Sequence, residues 1–550
     1  MTLIKSPYCK ADHPEIAVKG SAVAAEKSRK RTVSDRALGK PAVSAYDAAT
    51  KSVSTLRIIA RVPRKCDKAG DGSTGYWKGR ISVEPAQNSL GADKVMAGAI
   101  QAGARRGIAQ IEAAFSPRLR SRLLVILFIT WMIPIHPIVA GQRLDPYRIV
   151  LIAMFFPFLI GFFARKGGRF TVPDGLIFGF LAWLVLSLVY RHGMSRFPFA
   201  VSQAIELFGG YAAGRLLIRN LSDYRRFVRI FLWSLVLLLP FVAYESISGR
   251  MMIGEVFARF FPVSTKYTEW RYGLSRVQGV FPHSILYGVY CSINTANVIF
   301  LYKDRLLGLM PRLGLVLYMT FVSLSSAAML SVLIQIATFV WGKITRNAWW
   351  LLIFIVVSII TFLEVASNRG AVLILIQNLT LDPQTGWWRY YIWTYGLDSV
   401  VAYPFMGIGM NDWARPYWMV AVSVDSFWLL TMMRHGLPAL GMLVTGLLWH
   451  VVLVVRARDL SPAASDIRRG YLIGFVGLCF TLATVHVWDV MAVLTMFYFG
   501  AASFLYTSGT IDDATPAAPL PTIAKPQPSP RAPVVYARTF DKPNHRSTAE

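Results

Sequence analysis

The chain has 550 residues, of which 54% are hydrophobic, 13% aromatic and only 16% charged, with a mean hydropathy of +0.45. Soluble chains carry about 25% charge, so a water-soluble multidomain enzyme is excluded. The charge is one-sided, 58 Lys+Arg against 30 Asp+Glu for a net of +28, which in so apolar a chain points to the basic loops of a membrane protein rather than to nucleic acid. Cys9, Cys66, Cys291 and Cys479 are scattered, with neither a disulfide framework nor zinc-ligand spacing.

Residues 1–122 hold 23 Lys/Arg against 10 Asp/Glu and no long apolar run. Gly, Ser, Ala and Lys dominate, so the stretch up to about Leu90 reads as a disordered cytoplasmic tail. Near 95–115 a helical period runs through Met96, Ile100, Ala104, Ile108, Ile111 and Phe115, followed by Arg118, Arg120 and Arg122. A short amphipathic helix on the inner membrane surface fits this pattern; a solvated basic linker fits it as well. The first apolar segment begins near Leu123, so no secretory signal is expected at the start.

A polytopic membrane domain is expected over 123–507. A helix needs about 20 apolar residues to cross the hydrocarbon. Segments at or near that length are 123–140, 149–164, 175–190, 199–218, 228–247, 279–302, 313–324, 327–341, 349–364, 427–455, 471–486 and 490–507. The expected fold is therefore all-α, with about 12 transmembrane helices. The count falls to ten if the short 313–324 and the more polar 199–218 are not spans. Residues 508–550 follow as a Pro-rich disordered cytoplasmic tail, with eight prolines in 511–550.

Loop charge predicts orientation. Alternate loops carry Arg165, Lys166 and Arg169; Arg215, Arg219, Arg225, Arg226 and Arg229; Lys303, Arg305 and Arg312; Lys343 and Arg346; and Arg456, Arg458, Arg468 and Arg469. The short loops between them hold only Arg143, Arg148, Arg191 and Arg196. The positive-inside rule then puts both tails in the cytoplasm.

Two long segments, 248–278 and 365–426, fall outside. They break the rule with Arg250, Arg259, Lys266, Arg271, Arg276, Arg369, Arg389 and Arg415, and Arg434 lies just inside the next helix. Arginine presents a planar fork suited to phosphate oxygens, so an anionic ligand on that face is expected. The second segment, a large extracytoplasmic loop between helices 9 and 10, is also rich in aromatics, among them Trp387, Trp388, Tyr390, Tyr391, Trp393, Tyr395, Trp413 and Trp418. Aromatic faces pack on sugar rings, so a glycan or isoprenoid-linked ligand suits this composition better than an ion.

Trp388-Arg389-Tyr390-Tyr391-Ile392-Trp393, followed by Pro404-Phe405-Met406-Gly407-Ile408-Gly409, resembles the R-x-x-x-W…P-x-x-G-x-G signature of the O-antigen polymerase/ligase superfamily of bacterial inner-membrane glycosyltransferases. Asp425-Ser426-Phe427-Trp428-Leu429 before His435-Gly436-Leu437-Pro438 is similar to that superfamily's next element, and Arg276-Val277-Gln278-Gly279-Val280-Phe281-Pro282-His283 to its R-x-x-G-x-F-x-H segment. Two departures stand out. Asp425-Ser426 replaces the His-Asn typical of lipopolysaccharide ligases, and Ser367-Asn368-Arg369-Gly370-Ala371 carries an inserted Asn in a Ser-Arg-Gly-Ala element. The first departure tilts the expectation toward a polymerase of O-antigen or exopolysaccharide repeat units; an O-antigen ligase is the alternative.

The resemblance implies a glycan linked to isoprenoid pyrophosphate as donor, an acceptor hydroxyl attacking the anomeric carbon, and pyrophosphate as leaving group. Asp425 is then the expected general base and Arg389 the residue stabilising the leaving charge. Arg276, His283, Arg369, Trp393, Arg434 and His435 are the expected substrate-binding residues. No metal ligand set and no cofactor are expected. The implied partners are membrane lipids, a chain-length regulator and other polysaccharide assembly proteins, without nucleic acid. Asp425 or Ser426 could instead cap the helix that begins at Phe427. A transporter is the rival class, since Glu206, Asn294, Asn297, His486 and Asp489 lie in or beside apolar segments. Against it, no paired interrupted helices are legible, and Glu245 and Glu364 at helix ends are expected to be solvated.

Overall fold

The computed structural model describes residues 116–507 except 140–141, 264–267, 346–347 and 367–382. Residues 1–115 and 508–550 of the expected tails, the amphipathic stretch near 95–115 among them, and Lys266, Arg346 and Arg369 lie outside the described residues, whereas residues 117–122, expected in the tail, open the first helix.

The helices follow the apolar segments in order: α1 (Pro117–Trp131), α2 (Pro146–Phe163), α3 (Val172–His192), α4 (Phe197–Leu217), α5 (Leu221–Ser248) and the short α6 (Met252–Ala258). Then come α7 (Ser284–Ser292), α8 (Thr295–Tyr302), α9 (Leu306–Phe321), α10 (Ser326–Ile344), α11 (Trp349–Ala366), α12 (Pro383–Ala402), α13 (Phe427–Val455), α14 (Pro462–Thr484), α15 (Val490–Ala501) and α16 (Phe504–Thr507). Two antiparallel hairpins, β1–β2 (Ile138–Val139 with Gln142–Arg143) and β3–β4 (Trp270–Arg271 with Leu274–Ser275), close connections between helices.

Among the described residues, nine helices or helix pairs are long and apolar enough to cross a membrane: α2, α3, α5, α7–α8, α10, α11, α13, α14 and α15–α16. The chain is an all-α, multi-pass membrane protein. Of the twelve expected spans, α1 and α9 have only 15 and 16 helical residues, and α4 is too polar. The expected span at 123–140 stops at Trp131 because Pro134 and Pro137 follow, and proline cannot continue a helix. The loop expected at 365–426 contains a helix of 20 residues, α12, whose dense aromatics show no single apolar stripe.

The connections sort into two ends. At one, Arg120 pairs with Asp223 at 3.0 Å and Lys303 with Asp466 at 2.6 Å. There Arg215, counted as a loop residue from sequence, is instead buried: it pairs with Asp174 at 3.2 Å and donates to the Arg169 carbonyl at 2.8 Å. This is the basic end. At the opposite end the His136 amide donates to the Pro262 carbonyl (2.8 Å), Arg143 pairs with Asp489 (3.1 Å), the Val277 amide donates to the Val322 carbonyl (3.1 Å), and the Phe427 amide donates to the Val485 carbonyl (3.2 Å).

Backbone proximity fixes the middle of the bundle. α4 packs most extensively on α15, and α13 on α3. A Cβ at Gly214 would lie 2.1 Å from the Phe497 carbonyl oxygen, and one at Gly500 2.4 Å from that of Tyr211; small residues let membrane helices approach this closely. Two helices are interrupted, which was not legible in the sequence. α7 and α8 part at Ile293-Asn294, where Gln335 of α10 donates to the Ser292 carbonyl and accepts from the Ala296 amide, each at 2.9 Å. One amide thus bridges the Ser292 carbonyl and the Ala296 amide that the break parts, and Thr295 Oγ1 donates to the same carbonyl at 2.8 Å. α13 is broken at Gly436.

Candidate functional site

The break in α13 builds the site. Pro438 has no N–H to offer the Arg434 carbonyl, and Gly436, at φ 80° and ψ 175°, turns the Leu437 amide away to the Pro404 carbonyl at 2.7 Å. The carbonyls of Met433 and Arg434 are left without helical donors. The Ile408 and Gly409 amides fill them, at 2.7 and 3.0 Å. Arg191 Nε donates to the Gly407 carbonyl at 2.6 Å, and the Met410 amide to His192 Nε2 at 2.8 Å. The two Gly-containing sequence elements are therefore two halves of one backbone interlock, clamped by the end of α3.

That interlock roofs a cavity of about 540 Å³ at the end opposite the basic one, where Asp425, Arg434, His283, His486, Asn411 and Asp412 contribute polar groups. No ion pair or hydrogen bond holds the Arg434 guanidinium among the described residues. Asp412 pairs with Arg415 at 2.5 Å. Asp425 is half-buried at the mouth of α13. The helix cap falls to its neighbour, since Ser426 Oγ accepts from the Leu429 amide at 3.3 Å. His283 lines the cavity and caps α7, its Nδ1 accepting from the Ile285 amide at 3.1 Å.

An arginine cluster adjoins this cavity. Arg276 is buried, paired with Glu269, and its Nε has no hydrogen-bond partner among the described residues. Burial, then the charge of Arg271 and more weakly that of Arg389, lowers its pKa from the usual arginine value. Burial opposes the Glu269 charge, yet Arg276, His283 and Arg271 together hold that carboxyl below its ordinary value. His283 is thus the link, lining the cavity and acting on the carboxylate that serves the arginines. Glu245, expected to be solvated, is instead buried, because its carboxylate accepts from the Gln278 amide at 2.7 Å and from the Gly279 amide at 3.1 Å. It anchors the segment that carries both Arg276 and His283.

Of the expected site residues, Asp425, Arg434 and His283 meet in the cavity. Arg276 lies on the segment that leads to His283, Arg389 is near enough for its charge to act on Arg276, and Arg369 lies outside the described residues. His435 does not line it: the ring is buried against α3, with Nδ1 2.9 Å from Ser187 Oγ. Trp393 is an anchor, donating from Nε1 to the Ala483 carbonyl at 3.2 Å. The loop aromatics largely pack on one another, Trp418 contacting Trp388, Tyr391 and Tyr395 at 5.2–6.1 Å, while Trp413 is buried. They form a partly exposed cluster over a small core of Ile392, Met419 and Leu429.

His486 was missed as a site residue. It lines the cavity, and its Nδ1 is buried without a hydrogen-bond partner among the described residues. Burial, and then the nearby Arg434 charge, pull its pKa down to about 3, so the ring is neutral. Its only sequence signal was a histidine at the end of an apolar segment. Beside it Asp489 takes a φ of 51° and is held by Arg143 at 3.1 Å and Arg148 at 3.6 Å.

Fold and site together describe a multi-pass helical membrane protein with a polar cavity at one end of its bundle. Comparison with family models and with characterised proteins finds no match to this chain.

Proposed function

We propose that the protein polymerises lipid-linked oligosaccharide repeat units on the extracytoplasmic face of a bacterial inner membrane, transferring glycan from isoprenoid pyrophosphate to an acceptor sugar hydroxyl. The observation that carries this reading is the cavity lined by both the carboxylate of Asp425 and the guanidinium of Arg434, which is unpaired among the described residues, with Arg276 on the segment that leads to His283 of the same cavity. A carboxylate that can take a proton and cations that can hold a leaving pyrophosphate are what such a transfer needs. The order of the motifs supports the same reading. Arg276, Arg389 and Arg434 bind the pyrophosphate, and Asp425 activates the acceptor.

Transport is the weaker reading. Asn297 donates to Asn294 Oδ1 and Tyr498 Oη at 3.0 Å and accepts from Tyr224 at 2.9 Å; Glu206 is held by Tyr147 at 3.3 Å and Arg148 at 3.2 Å. These polar groups are occupied in joining helices.

Purified protein given lipid-linked repeat units should make a ladder of lengthening glycans. A single product on a lipid or protein acceptor would indicate a ligase, and no product would remove the transferase reading. Orientation is tested separately: an alkaline phosphatase fusion near Thr385 should be active and one near Ser461 inactive, as the positive-inside rule requires. The reverse pattern would place the cavity in the cytoplasm and end the proposal. Arg434→Lys keeps the charge but loses the fork. If a charge-assisted hydrogen bond worth about 1.5–3 kcal/mol is lost, transfer should fall by about ten- to a hundred-fold at unchanged protein level.

A further inference from the structure

α11 is apolar up to Glu364, none of its residues is buried, and among the described residues it packs broadly on no other helix. Between its first turns and α14 lies an open crevice of about 620 Å³, with Thr338 of α10 on one side and Val455 at the end of α13. The α14 wall is a single face, because Arg469, Leu472 and Ile473, and Val476 recur one helical turn apart. It is cationic at the basic end of the bundle and apolar beyond.

The two arginines differ. Arg468 is tied over the end of α13, donating to the Ala457 carbonyl at 3.1 Å. Arg469 is exposed, and its guanidinium meets only Ser465 Oγ, at 3.4 Å; no carboxylate pairs with either among the described residues. Trp349, 36% exposed, sits at the rim, as tryptophans do at membrane interfaces.

We propose that this crevice is a binding site for one anionic phospholipid, its phosphate on Arg469 and Arg468 and an acyl chain along Leu472, Ile473 and Val476 against α11. Charge complementarity selects this occupant. Arginine forks match phosphate oxygens, and basic pockets between membrane helices hold anionic headgroups. A second copy of the chain would bring its own basic end against these arginines, like against like. The site is independent of glycosyl transfer.

The test is native mass spectrometry of the full chain, titrated with phosphatidylglycerol and with phosphatidylcholine of the same acyl chains. Phosphatidylglycerol should bind about five-fold more tightly, the gain typical of one basic residue near an anionic headgroup. Arg469→Gln should abolish most of that preference, weakening phosphatidylglycerol more than phosphatidylcholine, and Val476→Trp, which fills the crevice, should weaken both. Both substitutions replace exposed side chains, and unaltered elution and lipid-free melting would confirm an intact fold. Equal binding of the two lipids, a preference that survives Arg469→Gln, or a dimer retaining no phospholipid would each overturn the proposal.

Discussion

Asp425→Asn should fold, insert and bind the lipid-linked donor, yet extend it about 10²–10⁴-fold more slowly, the usual cost of removing a general base. The structure makes this variant a clean one. Asp425 and Ser426 were both candidates to cap the helix at Phe427, and the cap falls to Ser426 Oγ. Removing the Asp425 charge therefore leaves the first turn of α13 satisfied. The companion variant reverses the pattern: Ser426→Ala should cost about 0.5–2 kcal/mol of stability and keep turnover. Glycan length on purified lipid-linked repeat units, with membrane protein level measured in parallel, reads both. An Asn variant that polymerises at wild-type rate would move the base to His283 or His486, which line the same cavity. His435 would not be the substitute, since Ser187 holds its ring outside the lining.

The second large effect is expected at a residue that touches no substrate. Gly436→Ala should dismantle the roof of the cavity. Its φ of 80° with ψ of 175° belongs to a backbone region used almost only by glycine, and holding another residue there costs about 1–3 kcal/mol. An added Cβ would also lie 2.0 Å from the Phe405 carbonyl oxygen, so the segment that supplies the Ile408 and Gly409 amides must retreat. Met433 and Arg434 then lose the donors to their carbonyls, each buried orphan costing about 1–3 kcal/mol, and the Arg434 side chain loses its position. The sum puts the loss at about 4–5 kcal/mol or beyond, the exceptional tail for single substitutions. Gly441→Ala in the same helix is the control, because a Cβ there meets nothing within 4 Å, and it should be neutral. Thermal unfolding in detergent separates them, and a Gly436→Ala protein that melts with wild type would show the interlock to be dispensable.

The membrane class, the positions of most helices and the sorting of basic loops were legible in the sequence. Each follows from apolar length or charge, and both act locally along the chain. Asp425, Arg434 and His283, which the structure brings to one cavity, were legible as candidates for a related reason: charged and imidazole groups at the ends of apolar helices, where their solvation is costly, mark themselves. What the sequence alone did not reveal depended on partners distant in the chain. The break between α7 and α8 is bridged by Gln335 of α10, which donates to the Ser292 carbonyl and accepts from the Ala296 amide. Glu245 is buried because the amides of residues 278 and 279 come to it. Trp393 and His435 looked like ligand-facing side chains until Ala483 and Ser187 took their polar atoms. His486 looked like part of an ion path until the bundle aimed it beside Arg434. Apolar length places a helix in a membrane, but only the packed bundle decides which polar groups are occupied in holding it together and which are left for a ligand.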